Sequence, residues 1–118
     1  RNRGVGLERM VRELNAYLTG WVTYFRYAAC KSHLQRLDAW IRRKLRCVRL
    51  KQRKRAKPIA DFLQSLGIPA WRAWLLALSG KGWWRMAGSP QAHEAMTNGW
   101  FKAQGLVNLT ERYIALRQ

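Results

Sequence analysis

The sequence predicts an all-α fold, and three observations carry this prediction. Apolar residues recur at steps of three and four along several segments, which is the spacing of an amphipathic helix. No segment alternates apolar and polar residues in the manner of a half-buried strand. The breaks between the periodic segments fall at glycine or proline, as at Gly67, Pro69 and Gly105.

The first predicted helix covers residues 7–28 and has a broad apolar stripe. The stripe consists of Leu7, Met10, Val11, Leu14, Leu18, Trp21, Val22 and Phe25. The second predicted helix offers a narrower stripe, which cannot cover the first one. We therefore expect the fragment to self-associate as a homodimer that pairs the first helices.

Ser32 and Gln35 form a predicted capping box at the start of the second helix. Its apolar stripe consists of Leu34, Leu37, Ile41, Leu45 and Val48. Past Val48 the stripe is lost, which predicts that the helix leaves the core there or becomes the connector to the second part of the chain. A boundary near Lys57 would divide the chain into parts 1–57 and 58–118.

The second part is predicted to contain short helices. Pro58 and Pro69 each begin one, and Gly67 ends the first of the two. The predicted core face of the helix after Pro69 consists of Trp71, Trp74, Leu75 and Leu78. A loop is expected over residues 79–89, and one helix over residues 90–103. Asn108 and Glu111 form a predicted capping box for a last helix.

The composition implies a polyanionic partner. The chain has 118 residues, a formal net charge of +17 and a pI near 11.4. A hydrophobic fraction of 48% and seven Trp exclude simple disorder. Cys30 and Cys47 are too few for a disulfide framework and have no zinc-ligand spacing. Without a signal-type or membrane-spanning apolar run, we expect a cytoplasmic fragment of a larger protein.

The charge is concentrated between residues 42 and 57, where ten of the 23 Lys and Arg residues and no Asp or Glu occur. Spacings of four, three and four place one row of arginines along a helix edge. This row, our first choice for phosphate contact, consists of Arg42, Arg46, Arg49 and Arg53. A solvated face usually mixes charge signs, and this segment does not. The further candidates for nucleic-acid binding are Arg43, Lys51, Lys54, Arg55 and Lys57.

A second candidate is the segment Gly80–Arg85, in which Lys81 and Arg85 flank two tryptophans. Basic groups beside aromatic rings hold phosphates and stack on bases. Trp83 or Trp84 is accordingly a candidate for base stacking, with Trp83 the preferred one. The alternative, in which one Trp only anchors the loop in the core, stays open.

Several ordered motifs resemble the maturase-specific region of group II intron reverse transcriptases. The first half contributes Leu14–Trp21, Tyr24–Arg26 and Trp40–Arg46 to this resemblance. The second half contributes Leu66-Gly67-Ile68, Lys81–Arg85, Ser89-Pro90-Gln91, Gln104-Gly105-Leu106 and Leu109–Tyr113. The short bacterial members without an endonuclease domain are the most similar.

This resemblance implies that residues 1–57 belong to the thumb, or domain X, and residues 58–118 to a small DNA-binding domain. The implied partners are group II intron RNA and either a template-primer duplex or target DNA, in the bacterial cytoplasm and without membrane contact. The whole protein would support RNA splicing, reverse transcription and intron homing. Its palm would carry the Mg²⁺-binding Tyr-Ala-Asp-Asp motif before Arg1, so we expect no cofactor in this fragment.

Catalysis by the chain itself is not expected, because its carboxylates are scattered. The six acidic residues include no Asp-x-Asp or Asp-Asp pair. His33 and His93 have no nucleophile in a recognisable setting.

Two other functions remain as alternatives. In the first, the cationic and Trp-rich helical chain lies on an anionic membrane surface, and its inserted face consists of Trp71, Trp74, Leu75, Leu76 and Leu78. The tryptophans would otherwise dock on a protein partner, with the charge serving solubility.

Overall fold

A computed structural model describes residues 6–24 and 29–117. Eight helices run through these residues with no strand among them, so the all-α prediction is confirmed. The helices are α1 (Leu7–Tyr24), α2 (Lys31–Arg53), α3 (Ala56–Ser65), α4 (Ala70–Ala77), α5 (Trp83–Ala87), α6 (Pro90–Ala95), α7 (Asn98–Ala103) and α8 (Leu109–Leu116). The last part of the predicted first helix, including Phe25 and Ala28, lies outside the described residues.

The chain forms two compact units. Unit 1 comprises residues 1–41 and 101–118, and unit 2 comprises residues 42–100. The first part of α2 therefore belongs to unit 1, and its second part belongs to unit 2. The predicted division after residue 57 separates the thumb part from the small DNA-binding domain, and it does not coincide with the boundaries of these two compact units. That division stays a prediction.

In unit 1, α8 packs against α1 and covers its apolar stripe. The buried residues of α1 are Leu7, Val11, Leu18 and Val22. Phe101, Leu109 and Tyr113 from the end of the chain are buried in the same unit. The reason for expecting a homodimer, an uncovered first helix, therefore does not hold. Periodicity along the first two helices does not reveal that α8, at the other end of the chain, returns to the first helix.

Two polar side chains hold this returning segment. The Asp38 carboxylate of α2 accepts hydrogen bonds from the backbone N–H groups of Leu109 and Thr110 at 2.8 and 2.9 Å. It also accepts one from Thr110 Oγ1 at 2.7 Å. Asn15 of α1 donates to the carbonyl of Gly105 at 2.6 Å and accepts from the N–H of Val107 at 2.7 Å. Unit 1 is thus closed by capping contacts as well as by apolar packing.

In unit 2, α3 and α4 form a tight pair joined at Gly67. The N–H groups of Gly67 and Ile68 donate to the carbonyls of Gln64 and Leu63, and the φ angle of Gly67 is +98°. This is a Schellman motif, in which the positive φ angle favours glycine. Leu63 and Ile68 are both buried beside it. The predicted end of the helix at Gly67 is confirmed.

The predicted core face of α4 is wrong. Trp71, Leu75 and Leu78 are 71%, 62% and 67% exposed, and the buried residues of α4 are Ala73 and Leu76. The opposite side of this helix faces the core. Arg72, on the inner side, donates two hydrogen bonds to the Glu94 carboxylate of α6 at 2.6 and 2.8 Å. Because α4 is apolar around most of its circumference, periodicity alone did not distinguish its two sides.

Three local predictions also need correction. α2 begins at Lys31 with the Cys30 carbonyl accepting from the N–H of Leu34, so Ser32 lies inside the first turn and does not cap the helix. The expected loop over residues 79–89 contains α5, and the expected helix over residues 90–103 is two helices, α6 and α7. The break falls at Thr97, whose hydroxyl accepts from the N–H of Trp100 at 3.1 Å.

The cap of the last helix is confirmed, since the Asn108 side chain accepts from the N–H of Glu111 at 2.9 Å.

Candidate nucleic-acid interface

The basic segment continues as helix to Arg53, so its charges lie on a rigid surface. Leu45 and Leu50 remain buried, which shows that α2 does not leave the core at Val48. Within unit 2 the arginines at positions 43, 46, 49 and 53 turn toward the protein. We call these four residues the inner arginines.

Arg46 is the most deeply buried of the inner arginines, with 3% of its surface exposed. Its Nε donates a hydrogen bond to the carbonyl of Met96 at 2.9 Å. Burial, with a smaller effect from the nearby charge of Arg42, lowers the pKa of Arg46 to about 10. Its guanidinium is directed into unit 2, out of reach of a phosphate at the surface.

Arg43 stacks on Trp84 of α5, with the guanidinium carbon 4.2 Å from the ring centroid. Its Nε and Nη2 also donate to the Trp84 carbonyl, at 3.2 and 2.9 Å. Gly88 makes room for this arrangement, because a Cβ at that position would lie 2.7 Å from Arg43 Nη2. A planar guanidinium can stack and donate in this way, whereas a lysine ammonium has no flat face.

Arg49 and Arg53 lie against aromatic residues of the same unit. The guanidinium carbon of Arg53 is 4.7 Å from the Phe62 ring centroid, and that of Arg49 is 5.7 Å from Phe62 and 6.0 Å from Trp100. Phe62 and Trp100 themselves meet edge to face at 6.4 Å. Both arginines are half-buried. Their side chains are held in place by the ring faces.

The predicted arginine row therefore divides into residues with different environments. Arg46 is an internal packing residue, and Arg49 and Arg53 are partly engaged by aromatic rings. Arg42 is half-buried beside Arg46. Nucleic-acid contact by Arg42, Arg49 and Arg53 stays a prediction, whereas the burial of Arg46 gives it no access to a ligand at the surface.

The opposite side of α2 is solvent-exposed and carries no carboxylate. Spacings of four, four and seven residues bring its members onto one side of the helix. We call this side the outer face, and it consists of Arg36, Trp40, Lys44 and Lys51. Lys44, like the other three residues of this face, is exposed.

Further exposed cations follow directly after the outer face. Lys54, Arg55 and Lys57 are all exposed at the junction of α2 and α3. Lys57 pairs with Asp61 at 3.0 Å across one turn of α3. In the part of the chain that the structure describes, carboxylates also pair with Arg9 and Arg72. The positive charge of the basic segment is therefore only weakly neutralised by the protein itself.

The segment after Gly80 presents its two cations to the solvent. Lys81 and Arg85 are exposed, Trp83 is half-buried, and Trp84 is 38% exposed beneath Arg43. The structure places Lys81 just before α5 and Arg85 within it. Contact of Lys81, Trp83 or Arg85 with nucleic acid stays a prediction.

Within residues 6–24 and 29–117, no group of three or more His, Cys, Asp or Glu residues could hold a metal ion. None of the helices described is long and apolar enough to cross a membrane.

Sequence reasoning missed Asp38 and Trp40. Asp38 lies three and four residues from Ile41 and Leu34, inside the apolar stripe, and an acidic residue at such a position is the signal of a buried cap. Trp40 falls outside that stripe with Arg36 and Lys44 four residues to either side, which is the signal of an exposed aromatic among cations.

Fold and surface together define an all-α protein with a strongly basic helix exposed along one side. The chain belongs to the group II intron maturase family, since the model of the group II intron, maturase-specific domain, matches residues 1–67. A search of the curated proteins found no match. Membership implies a maturase role in the splicing of group II introns and an interaction with intron RNA. It also fits a non-catalytic fragment of a reverse transcriptase family.

Proposed function

We propose that the chain is the nucleic-acid-binding part of a group II intron reverse transcriptase, formed by the thumb and the small DNA-binding domain. It holds intron RNA, and the template-primer duplex or target DNA, mainly through backbone phosphates. This contact positions the nucleic acid for splicing, for reverse transcription by the rest of the protein and for intron mobility. The shape of an A-form helix is recognised more than its base sequence.

The observation that carries this proposal is the exposed part of the basic segment. Ten cations occur between residues 42 and 57 without an acidic residue. Five of these side chains are exposed, and they are Lys44, Lys51, Lys54, Arg55 and Lys57. Such a one-sign surface repels itself in the absence of a polyanion, and a row of phosphates relieves this repulsion. Lys81 and Arg85 of unit 2 are further candidates.

The inner arginines support the same function indirectly. By holding α3, α5 and the region of Trp100 against α2, they fix the scaffold that carries the exposed lysines. A rigid scaffold lowers the entropy cost of aligning several cations with successive phosphates. We therefore leave Arg46 out of the proposed contacts and assign it to packing.

The experiment is a salt titration of binding to an RNA hairpin, measured by fluorescence anisotropy. The double variant Lys44→Ala/Lys51→Ala should weaken binding and make the slope of log affinity against log salt shallower by roughly 0.7 to 0.9 for each contact removed. Lys102→Ala, which removes an exposed lysine of α7 outside the basic segment, is the matched control and should leave the slope unchanged. An equal slope in the double variant and the wild type would contradict the proposal.

One observation favours a second candidate function. Trp71, Leu75 and Leu78 form an exposed apolar face on α4, and large apolar patches often mark a membrane or protein contact. Flotation with vesicles rich in anionic lipid tests the membrane-surface alternative. Binding that Leu75→Ala abolishes would support it, whereas binding that depends only on the lysines would reflect charge alone.

A further inference from the structure

Trp40 has an unusual environment for a tryptophan of a core-forming helix. Its side chain is 51% exposed, although Leu34, Ile41 and Leu45 of the same helix are buried. A tryptophan that served only the core would gain most from full burial. The exposed part of Trp40 instead lies on the outer face of α2, among the cations.

The neighbours of Trp40 on the outer face are both cationic. Arg36 precedes it by four residues and Lys44 follows it by four, and both are exposed. Four residues of α-helix rise by about 6 Å, so one cation lies roughly one turn to each side of the indole ring. Because all three residues belong to one helix, this alignment depends on α2 alone.

An aromatic face between two cations is the combination that binds a nucleotide chain. The ring stacks on a base, and the flanking charges contact the phosphates on either side of it. In a continuous duplex both faces of each base are covered by its neighbours, so only an unpaired base in a loop, a bulge or an end can meet the ring.

We propose that Trp40 stacks on an unpaired base of the bound RNA, while Arg36 and Lys44 contact the adjacent phosphates. This inference rests on the proposed function and adds to it a preference for RNA in which a single-stranded nucleotide adjoins a duplex. The exposed lysines contribute affinity for the phosphate backbone of any nucleic acid. Trp40 contributes a preference for RNA with an unpaired base over a continuous duplex.

The test compares two RNA ligands, a blunt duplex and the same duplex with a short single-stranded overhang, by fluorescence anisotropy. Trp40→Ala should weaken binding of the overhang RNA by roughly 5- to 150-fold, which corresponds to the cost of one lost base stack. Binding of the blunt duplex, and the salt slope on both ligands, should stay unchanged. Trp40→Phe should retain much of the preference.

Trp71→Ala is the matched control, because Trp71 is also an exposed tryptophan but lies on α4 outside the basic segment. Circular dichroism checks that each variant folds, and Trp40→Leu, which retains an apolar side chain without a flat ring, replaces Trp40→Ala if that variant does not. Equal losses on both ligands, no loss on either, or the same loss in Trp71→Ala would overturn the inference. If Lys44→Ala/Lys51→Ala reduces the salt slope while the Trp40 variants have no effect, the proposed function stands and this inference alone fails.

Discussion

Replacement of Asp38 by alanine should detach the end of the chain from unit 1. The carboxylate is 5% exposed and accepts three hydrogen bonds, from the N–H groups of Leu109 and Thr110 and from Thr110 Oγ1, at 2.7 to 2.9 Å. It satisfies N–H groups that the first turn of α8 leaves without helical partners. Alanine would leave the N–H of the fully buried Leu109 without an acceptor.

The size of the effect follows from these contacts. A hydrogen bond to a charged group stabilises by about 1.5 to 3 kcal/mol, and loss of a helix cap costs about 0.5 to 2 kcal/mol. The three bonds share one carboxylate, and water can replace it at the half-buried Thr110, so the terms do not add fully. We expect Asp38→Ala to lower the free energy of unfolding by about 2 to 4 kcal/mol. That is a large part of the stability of an ordinary domain.

Urea denaturation followed by circular dichroism measures this loss, and hydrogen exchange of the Leu109 and Thr110 amides locates it. Asp61→Ala is the control, because it removes an exposed carboxylate that pairs with Lys57 at 3.0 Å. Such a surface pair contributes less than about 1 kcal/mol. The assigned role of Asp38 is wrong if Asp38→Ala lowers the free energy of unfolding no more than Asp61→Ala does, or if the two amides exchange at the wild-type rate.

Two further predictions concern unit 2. Gly88→Ala should displace Arg43 from Trp84 and lower the free energy of unfolding by about 1 to 2 kcal/mol, with a change in tryptophan fluorescence. Unchanged stability and fluorescence would show that the Arg43 side chain can move aside without any loss of stability. Hydrogen bonds from Arg72 lower the pKa of Glu94 below its ordinary value of 4.5. The contribution of this pair is complete above about pH 4.5 and is lost as the pH falls through the lower folded-state pKa. The difference in stability between the wild type and Glu94→Gln should therefore shrink in acid, and a constant difference down to pH 2 would contradict this.

The local sequence was sufficient for the fold class and for several helix ends. Steps of three and four predicted helices throughout, and the ends at Gly67 and Gly105 were correct because a positive φ angle at these positions favours glycine. Asn108 was recognised as a cap from its spacing to Glu111. These features depend on contacts within a few residues, which the sequence contains directly.

Short elements were less predictable. α5 has five residues, too few for a periodic stripe, and the break between α6 and α7 is marked by a contact between the Thr97 hydroxyl and the N–H of Trp100. The sequence around α5 is equally compatible with a loop, and the sequence around Thr97 is compatible with a continuous helix. Packing of the surrounding helices decided between these possibilities.

For the candidate site, the sequence determined that a helix would carry a dense positive charge, and the family match agrees with the motifs in its first part. It did not determine which cations face the solvent. Periodicity fixes the angles between residues on one helix but not which side packs against partners from distant parts of the chain. For α2 those partners include Trp84 and Met96, which engage Arg43 and Arg46, and on α4 the same limitation left Trp71 outside the core. Only the tertiary structure brings these residues together, because their contacts span forty or more residues of sequence and depend on how complete helices pack.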